Sequence, residues 1–144
     1  MWRSSARMRK FDRIDHTADI GFKVRGRDFP GLLKNSAAAL YEAMDCERLC
    51  GAGKGVKYRM ESESREDLLV GFLNELIYYS NVKNLIFKKF LITIVHLKNM
   101  YSLKIRMPDG IRARPGREVK AATYHRMKVR QTKSFLMTDL IFDV

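Results

Sequence analysis

The sequence predicts an α+β fold: a single domain in which two main helices pack on a largely antiparallel β-sheet. Three observations predict it. Two stretches place apolar residues at helical spacing, most of the remaining chain reads as short strands with period-two or β-branched patterning, and the late strands follow one another through brief turn signals, as hairpins do. At 144 residues the chain is of single-domain length, enough to bury about 68–70% of its unfolded surface. No linker, repeat or low-complexity tract divides it.

Residues 1–10, MWRSSARMRK, are basic and lack the apolar stretch of a secretory signal, so they are expected to be a mobile lead-in to a domain spanning 11–144. Phe11–Ile14 and Ile20–Arg25 read as short strands around an Asp-His-Thr-Ala-Asp segment, because Ile20, Phe22 and Val24 alternate with polar neighbours. Asp28 is the expected N-cap of a helix over Phe29–Met44, with Pro30 tolerated in its first turn. Phe29, Leu33, Ala37, Leu40 and Met44 form its apolar stripe. Gly51, Gly53 and Gly55 then read as a loop, and Val56–Glu63 as a strand.

Ser64 and Asp67 resemble a capping box at the start of a second helix, whose stripe is Leu69, Phe72, Leu73, Leu76 and Ile77. The β-branched and aromatic run Ile86–Leu97 reads as one strand, turned by Asn99 into Tyr101–Met107. Pro108-Asp109-Gly110 is a turn signal. An Arg-rich loop over Ile111–Arg117 leads into Lys120–Arg130, and Phe135–Val144 is the closing strand. The count expected is two helices and about seven strands.

Hydrophobic residues make up 46% of the chain, ordinary for a globular protein. No apolar run approaches the roughly 18 residues of a membrane span, so a soluble cytoplasmic protein is expected. Lys and Arg total 28 against 16 Asp and Glu, a formal net charge of +12. That surplus favours encounter with polyanions, nucleic acid or an acidic protein face, although a well-solvated surface accounts for it equally. Cys46 and Cys50 have neither the spacing nor the companions of a zinc site and read as ordinary reduced thiols.

Candidate chemistry is sparse. Gly51-Ala52-Gly53-Lys54-Gly55 lacks the Ser or Thr and the following helix of a phosphate-binding loop, and is rejected as one. No nucleophile elbow is present. His96 lies in an apolar strand pattern and reads as structural. His16 and His125 sit in polar segments, where acid–base work competes with a plain hydrogen-bonded role. Asp15 and Asp19 would stand about 13 Å apart on an extended chain, too far to share one ion bound at about 2.3–2.6 Å. Either the segment turns or one of the two ligates alone. Asp143 and the terminal carboxylate of Val144 are covalently close hard donors, and with one remote Asp they would offer three charges to a divalent cation. All-oxygen ligation points to calcium or magnesium, with manganese also compatible. On chemistry alone, Asp143 as a polar strand end is the simpler reading.

Four segments in order, FDRIDHTADIGFKVRG, LLVGFLNELIYYS, VKAATYHRMKV and the terminal IFDV, resemble the archease family over about Phe11 to Val144. The resemblance implies an α+β fold and a bound divalent ion, calcium being expected, with magnesium or manganese as alternatives. By motif position it implies metal ligands at Asp19, Asp143 and, through its terminal carboxylate, Val144. Asp15, His16, Lys120 and His125 take supporting or partner-facing places. It further implies an accessory protein, not an enzyme, that promotes guanylylation and multiple turnover of an RtcB-type RNA ligase in tRNA splicing and RNA repair. The Arg-rich stretch 111–117 matches no motif of the family. Two other functions stay open: a basic RNA-binding or chaperone-like module acting on the RNA, and a small metal-dependent phosphoesterase using Asp19, Asp143 and His125.

Overall fold

The computed structural model describes residues 8–14 and 19–144. In chain order they form β1 (Phe11–Ile14), β2 (Asp19–Gly26), α1 (Phe29–Met44), β3 (Glu47–Gly53), β4 (Val56–Ser62), α2 (Arg65–Lys83), β5 (Leu85–Phe87), β6 (Leu91–Leu97), β7 (Met100–Met107), β8 (Gly110–Arg114), β9 (Ala121–Thr123), β10 (Arg130–Gln131) and β11 (Leu136–Asp143). Asp15 and His16, and residues 1–7 of the basic lead-in, lie outside the described residues.

Both helices start where their caps dictate. Asp28 is extended and its Oδ1 accepts from the Gly31 N–H at 2.8 Å, satisfying a donor that the first turn leaves without a partner. Ser64 Oγ accepts from the Asp67 N–H at 3.1 Å, while Glu66 and Asp67 at the start of α2 and Lys83 at its end oppose the helix dipole favourably. Asp45 and Asn84, both left-handed, end the helices. All five stripe residues expected of each helix are buried. α1 packs on β2 and α2, and α2 on β4, β5 and β9.

One sheet carries β1-β2-β11, with β9 and β10 sharing the far edge of β11. β2 and β11 pair over eight residues, from Asp143 opposite Asp19 to Leu136 opposite Gly26. Alternation sends Ile20, Phe22 and Val24 inward beside Phe142, Leu140 and Thr138, all buried. Burying a side chain such as Phe22 or Phe142 contributes about 1.5–3 kcal/mol. Gly26 is needed where β2 turns into α1, because a Cβ there would lie 2.2 Å from the Leu32 nitrogen.

The other two sheets are β3-β8-β5 and β4-β7-β6, and each strand of one passes into a strand of the other at a common bend. Gly53 pairs with Gly110 and Val56 with Met107. On the other edge Phe87 pairs with Gly110 and Leu91 with Arg106. The register therefore runs through the bend without a slip. The ladder lapses at Pro108, which has no N–H to give. The strands come so close there that a Cβ on Gly55 would lie 2.5 Å from the Pro108 carbonyl oxygen, and one on Gly110 2.7 Å from that of Lys54.

The structure corrects several sequence expectations. Gly51 and Gly53 belong to strand β3, and most of the expected 111–117 loop is strand β8. The expected strand Ile86–Leu97 is split at Lys88–Phe90 into β5 and β6. Lys120–Arg130 likewise divides into β9 and β10 around a turn with Arg126 left-handed (φ 59°). No helix of the described residues is long and apolar enough to cross a membrane.

Candidate functional site at the β2–β11 strand ends

β2 begins and β11 ends at the same point, and their register sets Asp19 directly opposite Asp143. Residues so opposed in an antiparallel pair have Cα atoms about 4.5–5.5 Å apart and project from the same face of the sheet. That face is the one turned away from the core. Asp143 is exposed and Asp19 half-buried. The same face carries Lys23 opposite Asp139, with Lys23 Nζ 3.6 Å from Asp139 Oδ1, and Arg25 Nη1 2.9 Å from Asp12 Oδ2. The acidic pair lies at one end of this face.

The Lys120–His125 segment clamps the end of β11 from the far side. The Lys120 N–H donates to the Asp143 carbonyl at 2.7 Å, Ala121 pairs with Asp143, and Thr123 Oγ1 donates to the Ile141 carbonyl at 3.1 Å. Three strands therefore converge on the acidic pair. The side chains of Lys120 and His125 are exposed, and the His125 N–H donates to Thr123 Oγ1 at 3.3 Å.

α2 in turn holds this clamp through its polar residues. Asn74 Oδ1 accepts from the Ala122 N–H at 2.8 Å, Asn81 Nδ2 donates to the Val119 carbonyl at 3.0 Å, and Glu66 Oε2 accepts from the Val129 N–H at 2.7 Å. Tyr124 Oη donates to Asp67 Oδ1 at 2.8 Å, and that hydrogen bond raises the phenol's pKa above its ordinary value. Sequence reasoning missed these positioning residues. The signal was present: Asp67, Asn74 and Asn81 recur at seven-residue spacing, two turns apart on one helix face.

Among the sequence-predicted residues, the structure brings together Asp19 and Asp143, with Val144 following, and sets Lys120 and His125 on the adjoining segment. The donors it offers a cation are carboxylate oxygens, the chemistry that suits calcium, magnesium or manganese. No group of three or more His, Cys, Asp or Glu that could hold a metal forms among the described residues. His96, expected in an apolar strand environment, is exposed and stacks on Tyr101 with ring centroids 3.9 Å apart. Cys46 is half-buried, which pushes its thiol pKa up, and Cys50 is exposed; neither is in a disulfide. The Gly51–Gly55 run lies in β3 and the bend, with no helix after it.

Fold and strand junction together define a class of small α+β protein, two helices on antiparallel sheet with an oxygen-donor end. The chain belongs to the archease family: residues 11–144 match the model of the Archease protein family (MTH1598/TM1083). It is 29% identical over 143 residues to Protein archease of Methanothermobacter thermautotrophicus, covering 95% of this chain and 100% of that one. Against Protein archease of Pyrococcus furiosus it is 32% identical over 126 residues, covering 85% and 89%. Among solved structures it resembles the solution structure of Methanobacterium thermoautotrophicum protein 1598 with a TM-score of 0.73 at 28% identity, covering 95% of this chain and 100% of that chain. The crystal structure of an archease, possible chaperone, from Thermotoga maritima gives 0.63 at 26%, covering 96% and 98%.

Proposed function

We propose that this protein is an accessory factor, without catalytic activity of its own, that promotes guanylylation and repeated turnover of an RtcB-type RNA ligase in tRNA splicing and RNA repair. It acts through a divalent-cation site made by Asp19, Asp143 and the Val144 carboxylate. The observation that carries this reading is the β2–β11 register, which sets two carboxylates from opposite ends of the chain side by side. Membership of the archease family supports an accessory role, and the motif resemblance is what suggests the ligase as partner.

Paired carboxylates repel one another, and they would repel the polyphosphate of a nucleotide still more. A bound cation reverses both terms, so the metal is obligatory for approach to a guanylylation site. Calcium is the expected ion, with magnesium or manganese fitting the same donors. The protein's own part is to hold the two carboxylates in register, with Lys120 and Ala121 anchoring the strand that carries one of them.

The test is RNA ligation by a limiting amount of the cognate ligase with GTP and manganese, with and without this protein. We expect single turnover to become multiple, and Asp143→Ala to abolish the stimulation while retaining the fold. A folded, calcium-loaded sample that gives no stimulation would overturn the reading. So would metal-dependent phosphoester turnover without ligase, which would favour an enzyme.

A further inference from the structure

The outer face of β4-β7-β6 carries a cluster of cations. Lys57 stands opposite Arg106, and Arg59 opposite Lys104, in the β4–β7 ladder. These four exposed side chains form a two-by-two block on one face of the sheet, with neighbours about 5 Å apart across the ladder and about 7 Å along it. None of the four makes an ion pair among the described residues. The row ends at Glu61, whose carboxylate accepts from Ser102 Oγ at 3.0 Å.

Like charges set directly opposite one another weaken strand pairing. Stability alone therefore gives no reason for two such pairs side by side. Next to the cations runs an uncharged row from β6. Leu91 lies opposite Arg106, Thr93 opposite Lys104 and Val95 opposite Ser102, with Leu91 40% and Val95 46% exposed. Lys57, Arg59, Lys104, Arg106, Leu91 and Thr93 line a shallow groove of about 530 Å³.

We infer that this face binds single-stranded RNA, with phosphates on the cation block and unstacked bases on the Leu91–Val95 row. The spacing of the cations along each strand is on the scale of the charge repeat of an extended nucleic-acid backbone, and polyanion binding replaces the repulsion between them with attraction. A duplex hides its bases and would leave the apolar row unused. A single strand presents them. Thr93, beside Lys104, offers the hydroxyl that a ribose 2′-OH would meet, which favours RNA over DNA. This inference goes beyond the metal-dependent role proposed above and does not rest on it, since it uses neither Asp19 nor Asp143.

Fluorescence anisotropy of a labelled oligo-uridylate, titrated with the full chain across a series of salt concentrations, tests it. Four phosphate contacts on a single strand give a slope of log K against log salt of about −3. Removing two with the double variant Arg59→Gln/Lys104→Gln lowers the slope to about −1.4 and weakens binding about 25-fold at 0.1 M salt. A double variant elsewhere with the same loss of charge, Lys128→Gln/Lys133→Gln, should bind as the parent does. The thermal midpoint of Arg59→Gln/Lys104→Gln should equal or exceed the parent's, so lost binding would not reflect lost folding. Equal weakening by the two double variants would overturn the inference, because net charge alone would then account for binding. Displacement of the RNA by poly-glutamate at matched charge would mark the face as a seat for acidic protein. Oligo-deoxyuridylate should bind about fivefold more weakly, the worth of one hydrogen bond; equal affinity would set the choice of RNA aside.

Discussion

Replacing Asp143 by Asn should change stability in opposite senses with and without a divalent cation. The register sets Asp143 against Asp19 on one face of the sheet, and like charges so opposed destabilise a strand pair by about 0.2–1 kcal/mol. Asp143 is exposed, so solvent screening places the repulsion near the lower half of that range, about 0.5 kcal/mol. In chelator, Asp143→Asn should therefore be the more stable protein. At about 2.1 cal/mol/K of unfolding entropy per residue, a chain of 144 residues gains about 2 °C in Tm from that amount. With calcium at a hundred times its Kd, the parent gains about 2.7 kcal/mol, or about 9 °C, and the variant, lacking one of its two paired side-chain carboxylates, gains far less. The order of the two melting temperatures should reverse between chelator and calcium, as read by scanning calorimetry. Equal calcium stabilisation of the two proteins would refute the placement of the site at this strand pair. A variant less stable than the parent in chelator would refute the account of repulsion.

Two further perturbations probe what surrounds the site. Asn74→Ala removes the acceptor for the Ala122 N–H and should cost about 1–2 kcal/mol, with faster amide exchange confined to residues 119–129; unchanged exchange there would mean that α2 does not hold the clamp. Burial, with the charge of Glu75, raises the Tyr58 pKa from 10.0 to about 12, so its neutral form stabilises the fold fully below pH 10.0 and that contribution is lost as pH rises towards 12. Tyr58→Phe should lose less of its urea midpoint than the parent between about pH 9 and about pH 11, and equal losses would show that Tyr58 does not titrate with unfolding.

Both helices were legible because their signals are local. Each had a capping side chain, an apolar stripe and a residue able to turn left-handed at its end, and each begins and ends within a residue or two of where those signals lie. Strands were legible where one face is buried by large side chains, as in Ile20–Val24 and Leu103–Met107. β3 was not, because its side chains are mostly exposed and show no period, and a bulge between Arg48 and Ala52 breaks what alternation there is. β8 was hidden for a different reason. Its fully buried residues are Gly110 and Ala113, too small to register as apolar in a pattern of Arg, and its outer end is tied to β3 by Arg114 Nε and Nη2 donating to Glu47 Oε1 at 2.9 and 2.7 Å. The bend at Pro108 was read as a turn because local chemistry does not distinguish a strand that ends from one that changes direction and continues in register.

The acidic pair poses the same question at long range, since nothing near Asp19 in sequence says that residue 143 will face it. What selects the pairing is the core. Ile20, Phe22 and Val24 must point inward against the helices, and so must Leu136, Leu140 and Phe142. Slipping β11 by one residue against β2 would turn its whole apolar set to solvent, or set Asp143 against the inward Ile20. A slip by two keeps the alternation but moves Phe142 and Leu140 off Ile20 and Phe22 and forfeits the edge contact of the Phe22 and Phe142 rings, now 6.0 Å between centroids. The carboxylates are therefore held together by hydrophobic side chains that never touch them. Polar substitutions at Phe22 or Phe142 should accordingly disturb cation binding through register, while changes confined to the outward Lys23–Asp139 pair should leave the Asp19–Asp143 pairing intact.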